Sequence, residues 1–342
     1  MHRLIAFGEA LVDMLSSRLG DAHEGPETFT PYAGGAPANV AVACARLGLP
    51  SQFLGMLGED YFGDFLAREL AAHGVDVSGV RRTREARTAL AFVSRDADGE
   101  RTFDFYRPPA ADLLYRLDHL PAGIFGEPAL LHLCSNSLTE PTIADTTLAM
   151  ASMARRADCL VSVDANLRHN LWASGEAEIS LVTRLLDSAD LLKLSTDELN
   201  YLRAEHPEDD WLAERLAAGV KVIVITDGPG EARLRQRDTE MRLAPPPVQA
   251  VDTTAGGDAF IGGLLTRLAE HYHDDWHRDT ALLEDAWRSP AAAAPMRWPA
   301  PAPTRPCRPA TTSIEPAGSK AGIWPRSFQG PSAPSLELIA TP

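Results

Sequence analysis

Residues 251–260, VDTTAGGDAF, set two carboxylates, Asp252 and Asp258, and the hydroxyls of Thr253 and Thr254 around the small residues Ala255, Gly256 and Gly257, directly ahead of the apolar pattern of a helix. Amides at a helix N-terminus have no intrahelical partner and, helped by the macrodipole, form an anion site. A carboxylate at 258 beside such an anion can take the proton of an attacking hydroxyl while the amides stabilise charge on a phosphoryl group in transfer. Helix capping accounts for an acid there, but not for two glycines together with Asp252, Thr253 and Thr254.

Other polar clusters follow other apolar runs, each with a plainer alternative. Asp13 can accept hydrogen bonds from two neighbouring hydroxyls of a polyol, or simply cap a loop. Gly34 and Gly35 precede a helix whose early turn carries Asn39, which suits close backbone approach to a ligand or a tight strand-to-helix connection. In VDANLRHNLW (163–172), Asp164, Asn166 and Arg168 stand together; the guanidinium can hold phosphate as a planar fork or form a surface salt bridge. LLKLSTDEL (191–199) ends a strand on Lys193 and opens a helix with Glu198, which either closes a capping box with Ser195 or organises Mg²⁺ through water. Thr226, Gly228 and Gly230 in VITDGPGEARL can receive nucleotide phosphates, with Lys193 on the same side, or form a hairpin turn into EARLRQ.

These residues need a scaffold that brings strand ends together. HRLIAFGE, SQFLGMLG, ALLHLCS, CLVSVDAN, LLKLS and VKVIVITDG read as buried strands, and the segments between them as helices, beginning with APANVAVACARLG and its stop signal at Gly48. Repeated strand-helix units imply an α/β fold with a parallel sheet covered on both faces, and ligands in such sheets sit at the carboxyl ends of the strands. RTALAFVSRDADGERTFDFYRP breaks the pattern with two alternating runs around Asp-Ala-Asp-Gly, which predicts a hairpin flap over the site.

Composition narrows the partners. The chain has 342 residues, is 45% hydrophobic and carries a formal net charge of −15, which suits one large core and disfavours broad contact with nucleic acid or an anionic membrane. Cys44, Cys134, Cys159 and Cys307 lie far apart without metal-ligand spacing, as free thiols of a cytoplasmic protein would. The N-terminus carries no signal-peptide pattern, and no apolar run reaches the ~18 residues of a membrane span. No GxxxxGK[ST] loop is present and no GxGxxG follows the first strand, which argues against Walker-type and dinucleotide sites.

The sequence resembles the ribokinase-like, PfkB-type carbohydrate kinases. AGGAPANVAVACARLG looks like the family's first signature and DTTAGGDAF its second; GEALVDM, FYRPPAADLL, CSNSLTEP and DANLRHNLW are similar to the fructokinase branch, whereas ribokinases usually carry a GGKGANQ-like turn. The resemblance implies a three-layer α/β/α sandwich with a mainly parallel central sheet and a small β lid, within a kinase domain over 1–288 whose lid lies around 10–35 and 86–110. It implies transfer from ATP, with Mg²⁺ and K⁺, to a small sugar such as D-fructose, with 2-keto-3-deoxygluconate or a nucleoside as other acceptors, and a homodimer through the lid. Asp13, Gly34, Gly35, Asn39 and Arg107 would hold the sugar, Asn166 and Arg168 would lie near the phosphates, and Glu198 would organise Mg²⁺ from outside its ligand shell, with Ser195 where the family has Asn. Thr226 and Gly228 would contact ATP, Asp252 and Thr254 a monovalent cation, and Asp258 would be the base. The family usually reads GAGD where this chain reads Ala255-Gly256-Gly257-Asp258; because backbone amides form the hole, the exchange keeps its donors.

Residues 289–342 depart further. About half of the chain's prolines fall there, without periodicity, a composition that packs no core. Such kinases continue with a cation-binding and adenine-covering loop resembling GAxAVxRxGAxxALP. Back-translating residues 295–309 with CGN arginine codons, and reading from the third base, gives triplets compatible with Asp-Ala-Val-Ala-Arg-Ala-Gly-Ala-Tyr-Ala-Ala-Leu-Pro. A frame shift between about Glu284 and Pro295 would account for this tail and leave a sugar-binding remnant with impaired catalysis.

Overall fold

The first strand, β1 (Arg3–Phe7), buries Leu4 and Ala6 in one hydrophobic layer and Ile5 and Phe7 in another. This two-sided burial is why the central strands read as unbroken apolar runs. The structure, a computed structural model, describes residues 2–20, 25–96, 101–228, 230–244 and 255–288. Asp252, Thr254, Cys307 and the proline-rich segment from 289 lie outside the described residues.

In chain order, β1 is followed by β2 (Leu11–Ser16), β3 (Phe29–Gly34), α1 (Ala36–Arg46), β4 (Ser51–Gly58), α2 (Tyr61–Ala72), β5 (Val80–Thr83), β6 (Leu90–Arg95) and β7 (Arg101–Tyr106). Then come β8 (Ala129–Cys134), α3 (Pro141–Arg156), β9 (Leu160–Asp164), α4 (Ile179–Leu186), β10 (Leu191–Ser195), α5 (Thr196–Arg203), α6 (Glu208–Ala218) and β11 (Val222–Thr226). β12 (Ala232–Arg235), β13 (Glu240–Leu243), α7 (Gly256–Glu270) and α8 (Thr280–Arg288) complete the described elements.

The central sheet has nine strands in the order β13-β12-β11-β10-β9-β8-β1-β4-β5. The strands from β11 through β5 pair in parallel, and the β12–β13 hairpin closes one edge antiparallel. Helices α1, α2, α7 and α8 cover one face, and α3, α4, α5 and α6 the other. This is the predicted α/β/α sandwich with a mainly parallel sheet. Chain order runs outward in opposite directions from β1 and β8, so the crevice between them is the topological switch point where ligands of such sheets bind.

A second sheet, ordered β3-β2-β6-β7, pairs β2 with β6 in parallel and is otherwise antiparallel. One face turns Phe103 and Phe105 onto the core; the other carries a row in which Phe92 meets Phe29 and Tyr106 at 5.1 Å each. The hairpin predicted from 88–107 is therefore half of a four-stranded sheet, partnered by β2 and β3. Cys44, Cys134 and Cys159 are buried free thiols, and no helix among the described residues is long and apolar enough to cross a membrane.

Candidate active site

Two helix N-termini meet over the carboxyl ends of the sheet. Helix α7 packs along α1 because residue 262 is glycine: a Cβ there would stand 2.4 Å from Ala43 Cβ, and Cys44 Sγ donates to the Gly262 carbonyl at 3.2 Å. One turn earlier on each helix, Asn39 Nδ2 donates to Asp258 Oδ2 at 2.8 Å. The helices therefore run in the same direction, and their dipoles add positive potential at one place. Ala255 caps α7, and the amides of its first turn have no intrahelical acceptors.

Asp258 is buried, and the groups that surround it decide its charge. Burial pushes its carboxyl up to about 7; the Asn39 hydrogen bond opposes this, the charge of Asp164 adds to it, and Lys193 and Arg168 oppose it. Lys193, in the middle of β10 rather than at its end, donates to both carboxylate oxygens of Asp164 on β9 at 3.0 Å. Burial disfavours the ammonium, but Asp164, Glu198 and Asp258 outweigh it and raise its pKa. A Cβ on Gly257 would stand 3.2 Å from Lys193 Nζ, so the ammonium lies against the first turn of α7. Asp164 and Lys193 thus form a buried salt bridge, which is not the surface salt bridge weighed for Arg168; the half-buried Arg168 gives Nη1 to the Leu167 carbonyl at 3.1 Å. Asn166 is buried with φ 36, its amide 3.3 Å from Asp164 Oδ1.

A second cluster fills the β1–β8 crevice. Asp13 sits on β2, and a Cβ on Gly34 would stand 2.5 Å from its Oδ2, so glycine alone leaves room for that carboxylate. Gly35 has φ 103 and lies so close to the Glu9 carbonyl that a Cβ would stand 2.5 Å from it. Glu9 Oε1 accepts from the Ala36 amide at 3.3 Å and from Asn136 Nδ2 at 3.1 Å. Arg107 gives Nη2 to the Asn136 carbonyl at 3.0 Å and is ion-paired with Asp112, both side chains 2% exposed.

On the other side, β10 and β11 end in register at Ser195 and Thr226, and Thr196 Oγ1 donates to the Thr226 carbonyl at 3.4 Å. Gly228 has φ 51 in a turn closed by the Gly230 amide on the Asp227 carbonyl at 2.7 Å, and β12 returns antiparallel, so 222–235 forms a hairpin whose turn still stands at the carboxyl end of β11. Glu198 forms the capping box: its amide donates to Ser195 Oγ at 3.1 Å and its Oε2 accepts the Ser195 amide at 2.7 Å. Its Oε1 also accepts the Leu167 amide at 2.8 Å, tying the β9 loop to α5.

The model of the pfkB family carbohydrate kinases matches residues 1–296. The chain belongs to this family of carbohydrate kinases. Among its relatives, probable fructokinase-7 of Arabidopsis thaliana is 38% identical over 285 residues, 82% of this chain and 81% of that protein. The structure of a fructokinase with bound ATP from Xylella fastidiosa superposes with a TM-score of 0.79 at 40% identity, covering 85% of this chain and 91% of that one. A fructokinase from Vibrio cholerae O395 in a form bound to fructose, ADP and calcium ion gives 0.74 at 32% identity, covering 86% and 92%. The chain is thus an α/β carbohydrate kinase, a phosphotransferase acting on alcohol groups, with a ribokinase-like fold.

Within this PfkB-family kinase the candidate residues fall into three groups: Asn39, Lys193, Arg168 and Asp258 around the start of α7; Asp13, Gly34, Gly35 and Arg107 around Glu9; and Glu198, Thr226 and Gly228 at the β10–β11 ends. Glu9, Asp112 and Asn136 escape sequence reasoning because their meeting depends on β1 lying beside β8, 127 residues away in the Glu9–Asn136 bond. An acid five residues after Arg107 in FYRPPAAD is the one local signal that points to the pair.

Proposed function

We propose that this kinase transfers the γ-phosphoryl group of ATP to the primary 6-hydroxyl of D-fructose. The observation that carries the reading is Asp258, buried at the start of α7, hydrogen-bonded to Asn39 and held near neutrality. A carboxylate with a pKa of about 7 is matched to accept a hydroxyl proton near neutral pH. The hydroxyl gives its proton to Asp258 as its oxygen bonds the γ-phosphorus, and the bond to the β-phosphate oxygen breaks with ADP leaving. The amides of Ala255, Gly256 and Gly257, with the Lys193 ammonium, face the charge that develops. Asp13, Gly34, Gly35 and Asn39 hold the sugar, and Thr226, Gly228 and Gly230 the nucleotide. Fructokinase relatives support fructose over other acceptors.

Mg²⁺ fits this site as an ion carried chiefly by phosphate and water. Among the described residues no cluster of three potential ligands could cage it, and both Glu198 oxygens already accept amide protons, which suits contact through water. Bound there, it would neutralise phosphate charge. Asp252 and Thr254 are the proposed monovalent-cation residues. The aromatic row of Phe29, Phe92 and Tyr106 on the proposed lid is the face through which a dimer would form.

A substrate panel tests the acceptor. With Mg-ATP, D-fructose is expected to give the highest kcat/KM and a 6-phosphate ester by ³¹P NMR; preference for 2-keto-3-deoxygluconate or a nucleoside would overturn the assignment. A second reading, a sugar-binding remnant with impaired turnover, is favoured by one feature, the proline-rich segment from 289, part of which back-translates into a shifted frame compatible with a family-like loop.

A further inference from the structure

The β1–β8 crevice holds polar groups that the catalytic reading leaves unused. Arg107 places Nε and Nη2 on the same Asp112 oxygen, Oδ2, at 2.7 and 2.6 Å. Its Nη1, Asp112 Oδ1, Asn136 Oδ1 and Ser137 Oγ are buried and have no hydrogen-bond partner among the described residues, although each residue is at least nine-tenths buried. Buried polar atoms in native proteins are almost always paired, so this set marks a place where hydroxyl groups or water complete it. Asn136 links the set to Glu9, and Glu9 to the first amide of α1 beside Gly35, so the cluster is continuous with the turn assigned to the sugar.

The open set has one guanidinium donor, two acceptor oxygens and one hydroxyl that can do either. A sugar hydroxyl both donates and accepts, and so suits a set that mixes a donor with acceptors. A carboxylate only accepts, and meets two acceptors it cannot satisfy. Charge agrees: among the described residues the cation of this cluster, Arg107, is opposed by Asp112 in contact and by Glu9 through Asn136, so its positive charge is compensated before an anion arrives.

We propose that Asp112 is a positioning residue that fixes Arg107 and cancels its charge, so that this crevice selects an uncharged, hydroxyl-rich sugar over a sugar acid. The assignment rests on the carbohydrate-kinase reading of the site and adds the reason for its choice among sugars. Removing the negative charge of Asp112 frees the guanidinium for a carboxylate, and removing that of Glu9 moves the balance the same way.

The test is calorimetric binding of D-fructose and of 2-keto-3-deoxygluconate to the full chain without nucleotide. The intact protein is expected to bind fructose about tenfold or more tightly than the acid. Asp112→Asn should move that affinity ratio toward the acid by about tenfold or more, and Asp112→Glu should restore it. If circular dichroism shows that Asp112→Asn does not fold, Glu9→Gln, which leaves the Arg107–Asp112 pair intact, should move the ratio in the same direction. An intact protein that favours the acid, or folded variants whose ratio stays put, overturns the proposal. Sugar-dependent ADP release with an unmoved ratio would leave the kinase reading standing and remove this one. A ratio that moves as expected in a protein unable to release ADP would do the reverse.

Discussion

Asp258 answers to two opposed demands. The proposed mechanism requires it ionised, while burial and the neighbouring Asp164 favour its protonated form and hold its pKa near 7. Two consequences carry definite signs. In kinetics, kcat/KM for fructose should fall about tenfold per pH unit below about 7, because only the carboxylate accepts a proton. In stability, the folded pKa lies above the unfolded value of 3.8, so the stabilising contribution of the protonated group is complete below about pH 4 and is lost as pH rises through 7. Asp258→Asn should therefore lower turnover by about 10²–10⁴-fold, while at pH 8 it stabilises the fold by about 1–3 kcal/mol. Thermal melts across pH 5–9 check this: a variant less stable than the parent at pH 8 would show that Asp258 is a structural anchor.

The contact between α1 and α7 sets the site at the scale of elements. Gly262 lets the helices approach, and Asn39 meets Asp258 one turn above. Gly262→Val places a branched side chain where even a Cβ would stand 2.4 Å from Ala43 Cβ. The expected cost is about 1–3 kcal/mol from overpacking, with a disproportionate loss in kcat as Asp258 shifts from its partners. Unchanged kcat with lowered Tm would mean that the contact does not set the catalytic geometry. Much of this level was legible in the sequence. β1, β4, β8, β9, β10 and β11 are buried on both faces and so announce themselves as apolar runs, and α7 is marked by the small residues before its apolar face. Strand β3 of the second sheet, with its exposed Phe29 and Thr30 and its Pro31, and the four-residue strands β5, β12 and β13 carry no such signal. At the site, Asp258 and Arg168 stand out in the sequence because they open a helix or follow a strand, and Lys193 because a cation interrupts the apolar run of β10. Asp164 stands out too, yet its burial against Lys193 depends on β9 and β10 being neighbours, which no local pattern encodes. Glu198 closes the capping box its sequence allowed, and it also reaches the Leu167 amide, a contact across 31 residues that no local pattern announces.

For the whole molecule, the described residues supply the β1–β8 crevice, the start of α7 and the β10–β11 ends. The adenine-covering loop that the family resemblance implies would fall beyond 289, where the sequence is rich in proline instead. A version carrying the shifted-frame sequence from about residue 295 should show a KM for ATP lower by about tenfold or more and a raised Tm, since added apolar contact strengthens both nucleotide binding and packing. Identical kinetics in the two versions would remove the frame-shift account. The central claim is phosphoryl transfer to a sugar with Asp258 as base, and its most direct measurement is fructose-dependent ADP release from Mg-ATP, run on the chain as it stands and frame-restored, each with and without Asp258→Asn. Release in at least the restored version, abolished by the substitution while fructose still binds, is the predicted result. Release that survives Asp258→Asn, or none from either version, would contradict it.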